Sequence, residues 1–156
     1  KESSCIERAF VAIGNNSKRL DLIKKLKEHS FYIPKLIHNS AIVSNSASIS
    51  EGCAIFANAV IQSEVIIKSG VIINTAASID HECFISDCVH IAPGVNIAGN
   101  VSIGKRSLVG IGASVIQGIS IGSDVKVGGG SIVISNLNNG VTAAGVPATL
   151  IKNQEK

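Results

Sequence analysis

The chain has 156 residues, 46% of them hydrophobic but only 3% aromatic, so its interior must be filled by small and β-branched aliphatics rather than rings. A charged fraction of 16% and a net charge of +3 exclude a disordered polyelectrolyte and give no electrostatic case for nucleic acid. No run of eighteen apolar residues is present, so no membrane span is expected.

The chain opens KESSCIERAF, with no Met and without the basic, apolar and small-residue order of a secretion signal. A cytoplasmic protein is expected, with an amino-terminal piece missing. Ala9–Ile13 reads as a buried strand, closed by the turn signal Gly14-Asn15-Asn16. Ser17 then stands as N-cap of an amphipathic helix that carries Leu20, Leu22, Ile23 and Leu26 to about His29. Phe31–Ile33 reads as a second strand, broken by Pro34. Strand, helix, strand reads as the tail of a parallel α/β unit whose earlier half is absent. A simple cap for the next domain is the alternative.

From Val43 a six-residue clock begins. Stepping by six gives Ile49, Ile55, Ile61 and onward to Val127 and Val133, sixteen positions that are all Ile or Val. Two residues before each member lies a second column, mostly small and apolar, with Ala41, Cys53, Ala77, Cys83, Ser107 and Ser131 among it. A helix has period 3.6 and a plain strand period 2. A strict six instead describes short strands and tight corners, three to a coil, wound into a triangular prism that grows by about 4.8 Å per coil. Residues 41–136 are expected to form this parallel β-helix. Residues 137–156, with Pro147 barring a further ladder strand, are expected to be a cap and tail.

Cys53 and Cys83 sit in the small-residue column and read as compact hydrophobes; neither they nor Cys5 and Cys88 carry signs of a nucleophile. His29 ends the helix and His38 enters the first coil. His81, flanked by Asp80 and Glu82, is expected to project outward, where an adjacent carboxylate fixes its tautomer and suits it to general-base work; a solvated surface histidine is the alternative. One coil on from His81 is Gly99, read as an empty notch beside the ring. Steps of eighteen from Asn74 give Ala92, Gly110 and Gly128, and from Ala76 they give Gly94, Gly112 and Gly130. Two such columns read as a groove of bare backbone leading away from His81, suited to an extended pantetheine arm; glycines that only turn corners are the alternative. A three-nitrogen zinc site finds no third ligand near His81 and His90, so no metal is expected.

Ile13-Gly14-Asn15-Asn16 with Arg19, Ile79-Asp80-His81-Glu82, Val89-His90-Ile91-Ala92, Ala98-Gly99-Asn100 and Gly145-Val146-Pro147-Ala148 together resemble the NeuD/PglD family of bacterial sugar acetyltransferases over residues 8–152. The resemblance implies a left-handed β-helix and acetyl-CoA as acyl donor. It implies a sugar or nucleotide-sugar acceptor and a homotrimer with active sites between subunits. His81 would be the general base and Glu82 the neighbour that raises its basicity. Asn74 and His90 would lie at the thioester end, Gly99, Ile111 and Gly129 along the acetyl-CoA path, and Pro147 and Ala148 toward the adenosine. The family's acceptor domain is Rossmann-like, so the resemblance implies that residues 1–40 are the carboxyl-terminal part of a truncated Rossmann-like α/β domain, with Gly14, Asn15, Asn16 and Arg19 as what remains of acceptor binding. Exposed aliphatics such as Ile66, Ile72 and Ile116 would be covered in the trimer. The expected reaction is N-acetylation of a nucleotide-linked amino sugar. O-acetylation of sialic acid and a non-catalytic β-helical scaffold are the alternatives.

Overall fold

The structure is a computed structural model and describes residues 7–151; Cys5 lies outside the described residues. Seventeen two-residue strands, from Leu36–Ile37 to Ile132–Val133, recur every six residues. Each of the first fourteen pairs in parallel with the strand eighteen residues later, as His90 pairs with both Ile72 and Leu108. The strands stack into three sheets, so the prism has an eight-stranded, a six-stranded and a five-stranded face. The fold class is thus mainly β, a parallel β-helix of about six turns.

The six-residue column is the core. Every member from Ile55 to Val133 is buried, as is its partner column from Cys53 to Ser131. Stiff branched side chains stacked at one repeated position need no aromatic bulk, and they suit the pleated surface they line. The clock starts one hexad before Val43: Ile37 falls on the same six-residue step, and Leu36–Ile37 pairs with Ala54–Ile55 in the same register. Both residues are exposed, so burial does not mark them.

At the other end the period shortens rather than stopping. Leu137 bridges Ile121 and Thr142–Ala143 pairs with Lys126–Val127, both offset by sixteen residues instead of eighteen. Thr142–Ala144 is therefore a ladder strand, and Thr149–Leu150 folds back antiparallel to close the end. Pro147 falls in the turn between them, where its missing N–H disturbs no ladder.

The helix runs Asn16–Glu28, and its N-cap is Asn15 rather than Ser17: the Asn15 side chain accepts from Lys18 N at 3.0 Å. Neither Ala9–Ile13 nor Phe31–Ile33 forms a regular strand; a single parallel bridge joins Arg8 and Tyr32. Two lone segments have no flanking ladder among the described residues to extend that bridge. Val11, Ile23, Ile33 and Cys88 make a second small core where the helix meets the prism. The prism is cut away to admit it. A Cβ at Gly70 would stand 2.5 Å from Ile23 Cδ1, and one at Gly52 would stand 3.3 Å from Ile33 Cγ2.

Candidate active site

Each coil turns three corners, and the chemistry-bearing residues collect at two of them, at opposite edges of the six-stranded face. The first holds Asp80–Cys83, where the chain leaves that face for the five-stranded one. Asp80 Oδ1 accepts from His81 N at 2.8 Å, which pins the turn, and Glu82 takes a left-handed φ of +58°. The His81 ring is half exposed, with Nδ1 3.0 Å from Glu82 Oε2. With Nδ1–H donating to that carboxylate, the Nε2 lone pair is free for a proton. The ring lies on Gly99: a Cβ there would stand 2.5 Å from Nε2 and 2.6 Å from Cε1. The notch read from the sequence exists, and the imidazole itself fills it. Gly99 O accepts from Gly118 N at 3.0 Å, while the Gly99 N–H donates to no backbone carbonyl among the described residues.

The second corner, between the eight-stranded and six-stranded faces, holds Asn74, Ile111 and Gly129, with Pro147 and Ala148 at its carboxyl end. Asn74 Oδ1 accepts from Thr75 N at 2.8 Å, and its Nδ2 lies 3.3 Å from Nε2 of the half-buried His90. Burial and then the nearby Arg19 charge hold the His90 imidazole below its ordinary value, with the Gly14 backbone pulling the other way. A neutral His90 accepts at Nε2 from the Asn74 amide. Ile111 is 64% exposed, and a Cβ at Gly129 would touch its Cγ2 at 3.1 Å. Ala148 N donates to Ile132 O at 2.8 Å, fastening the last loop beside this corner.

The two glycine columns also lie at this second corner, so within one chain they do not lead away from His81. Most of their small size has a local cause. A Cβ at Gly110 would meet the backbone of the next coil, Val127 O at 2.6 Å, and one at Gly128 would meet the Ala144 side chain, Cβ at 2.6 Å. Gly94, Gly112 and Gly130 have φ of +66°, +64° and +65° with open space beyond, the demand of a left-handed corner. Ala76 holds the same conformation at +55°.

Gly14, Asn15 and Asn16 come together with His90, Leu108 and Lys126 around a cavity of about 510 Å³ under the helix N-terminus. Arg19 does not open to it in the same way: it is 1% exposed and bonded to backbone carbonyls. Sequence reasoning missed the small column Gly52, Gly70 and Cys88 that seats the helix, although its eighteen-residue spacing was there to find. Ile66, Ile72 and Ile116 do not form one apolar face; they stand on the five-stranded face, the eight-stranded face and the first corner respectively. Burial pushes the Cys53 thiol up to about 11 and raises those of Cys83 and Cys88, the reverse of nucleophile activation.

No family model and no curated protein matches the chain. Solved structures do. GDP-perosamine N-acetyltransferase from Caulobacter crescentus, in a complex with CoA and GDP-perosamine, is 41% identical over 94% of this chain and 70% of its own, with a TM-score of 0.93; that structure is an alanine mutant at a histidine. The acetyltransferase domain of PglB from Neisseria gonorrhoeae is 39% identical over 96% of this chain and 74% of its own, also at 0.93. WeeI from Acinetobacter baumannii is 25% identical over 96% and 74%, at 0.90. Similarity this close, running through both corners and the helix, means that the chain belongs to the NeuD/PglD-type, left-handed β-helix family of hexapeptide-repeat sugar N-acetyltransferases.

Proposed function

We propose that the chain transfers the acetyl group of acetyl-CoA to the amino group of a nucleotide-linked amino sugar. The observation that carries this reading is His81: one nitrogen on Glu82, the other free, the ring seated on bare Gly99 backbone. The acceptor nitrogen attacks the thioester carbonyl while His81 Nε2 takes its proton. The tetrahedral oxyanion accepts from the unpaired Gly99 N–H. Collapse forms the amide and expels the CoA thiolate, which receives from His81 the proton taken from the amine. No covalent enzyme intermediate is needed, and holding both substrates in place supplies much of the rate. The N-acetyltransferase activity named for the Caulobacter relative favours an amine over a sugar hydroxyl.

A second copy completes the site. In a closed three-fold ring with the six-stranded face turned to the axis, the His81 corner of one copy meets the Asn74–Ile111 corner of the next. The thioester tail then runs along that corner, past Ile111 and Gly129 to Pro147 and Ala148. Asn74 to the end loop spans about four coils, roughly 19 Å at the spacing of paired strands, which suits a pantetheine arm. Gly14 and Asn15, beside His90, face the acceptor.

Acetyl-CoA turnover against a panel of nucleotide amino sugars and sialic acids tests the reading. An amino-sugar nucleotide should be the preferred acceptor, and His81→Ala should lower turnover at least ~100-fold while acetyl-CoA binding persists. Equal turnover in the variant removes His81 from the role; preference for sialic acid removes the acceptor assignment.

A further inference from the structure

The helix Asn16–Glu28 is fastened to the prism by two polar side chains that the transfer chemistry does not use. All five Arg19 N–H groups have acceptors. Nε donates to Gly70 O at 2.7 Å, Nη1 to Ile13 O at 2.8 Å and Gly14 O at 3.2 Å, and Nη2 to Asn16 Oδ1 at 2.7 Å and Cys88 O at 2.9 Å. A guanidinium so engaged has no donor left for a ligand. Asn16, gripped through its oxygen, donates from Nδ2 to Arg106 O at 2.8 Å and Ser107 O at 3.1 Å. Gly70, Cys88 and Arg106 stand one coil apart at a single corner. The two side chains therefore tie three successive coils to one helix end and to the Ile13-Gly14 carbonyls beside it.

Those carbonyls matter because the turn they belong to stands next to His90, which shares one cavity with Gly14, Asn15 and Asn16. We propose that Arg19 and Asn16 form a positioning latch, which holds the Gly14–Asn15 turn at a fixed height over His90 and Asn74, and that neither side chain contacts the acceptor. The proposal rests on the reading that this face carries the acceptor. The planar fork is what makes Arg19 suitable: it reaches carbonyls on the helix side and the prism side at once, which a lysine ammonium cannot do. Burial under the turn and the Arg19 charge both keep His90 neutral, so it accepts from Asn74. Arg106, Asp124 and Lys126 are the other charged groups around that cavity. Arg106 and Asp124 are paired with each other, Nε to Oδ1 at 2.7 Å.

Three variants test the latch. Arg19→Lys keeps the charge and loses the fork, Arg19→Gln removes the charge, and Asn16→Ala leaves Arg19 on the prism but cuts the second anchor. In Arg19→Lys and Asn16→Ala the acceptor KM should rise ~10-fold or more, with kcat and the KM for acetyl-CoA within ~2-fold, the signature of lost ground-state positioning. An unchanged acceptor KM in folded Asn16→Ala overturns the latch, as does a complex in which the Arg19 guanidinium touches the acceptor. NMR titration of His90 reads the latch without turnover: its protonation should move to higher pH in Arg19→Gln and in Asn16→Ala. An unmoved His90 in both also overturns it. Wild-type protein inactive on every acceptor, with His90 moving as stated, would defeat the proposed function and leave the latch standing. Should the Arg19 variants fail to fold, Asn16→Ala decides alone.

Discussion

The imidazole of His81 occupies the place that a side chain at Gly99 would take, with Nε2 only 2.5 Å from where that Cβ would be. The backbone at Gly99 is not in the left-handed region, so alanine strains nothing there except the ring. Gly99→Ala should therefore fold with a stability loss of about 0.5 kcal/mol or less. The ring must shift to make room, and turnover should fall roughly 100-fold, the scale of an ångström-sized misplacement. In a His81→Ala background the same change should cost nothing further. An equal loss of turnover in both backgrounds would separate Gly99 from His81 and assign it another role.

If the site is split between copies, two defective chains can mend one another. His81→Ala and His90→Ala proteins would each be impaired alone. Co-expressed at equal levels, they should regain activity at roughly a quarter of sites, the share in which an intact His81 corner meets an intact His90 corner in a randomly assorted ring. No recovery in assembled mixtures would place both histidines in one chain's site.

The Ile and Val column was legible because an inward position repeated every coil admits so few side chains. His81, Glu82 and Gly99 were legible as a group, since eighteen-residue stacking follows directly from three hexads per coil. Gly110 and Gly128 were harder: a glycine against the chain's own next turn and a glycine against ligand look alike until that turn is in place. Arg19 was harder still, because the five N–H groups that suit a phosphate or carboxylate suit a set of carbonyls equally well. The earlier start was legible in part, since Ile37 keeps the six-residue step while Lys35 breaks the small column; the sixteen-residue closing turn has no periodic signal, because an exposed end relaxes the packing that enforces the clock elsewhere.

Ser107 takes the small-residue position usually held by Val or Ala, and its hydroxyl splices two coils. Oγ donates to Gly122 O at 2.7 Å and accepts from Val125 N at 3.0 Å, with the side chain fully buried. Ser107→Ala leaves both backbone groups without that partner in a dry interior, which should cost about 1–3 kcal/mol in urea unfolding. A loss below about 0.5 kcal/mol would mean that water or a backbone shift replaces the hydroxyl.

Acid should weaken the fold through His90 before it weakens it through any carboxylate. The folded protein holds this imidazole below 6.5, so the unfolded chain binds the proton first as pH falls. The stability that comes from keeping His90 neutral is complete above the unfolded value. It declines as pH drops through 6.5 and levels off only once the folded ring protonates at its own, lower value. Asp124, held below 3.8 by its hydrogen bonds to Arg106, adds its loss at more acidic pH, so the two windows separate. The melting temperature should fall between pH 7 and 5 in the wild type, and more shallowly in His90→Gln, whose amide has no proton to gain. The same slope in both proteins would show that the turn over His90 does not exclude water from the ring, and the Asn74 amide would then lose its acceptor as pH falls without any cost to folding.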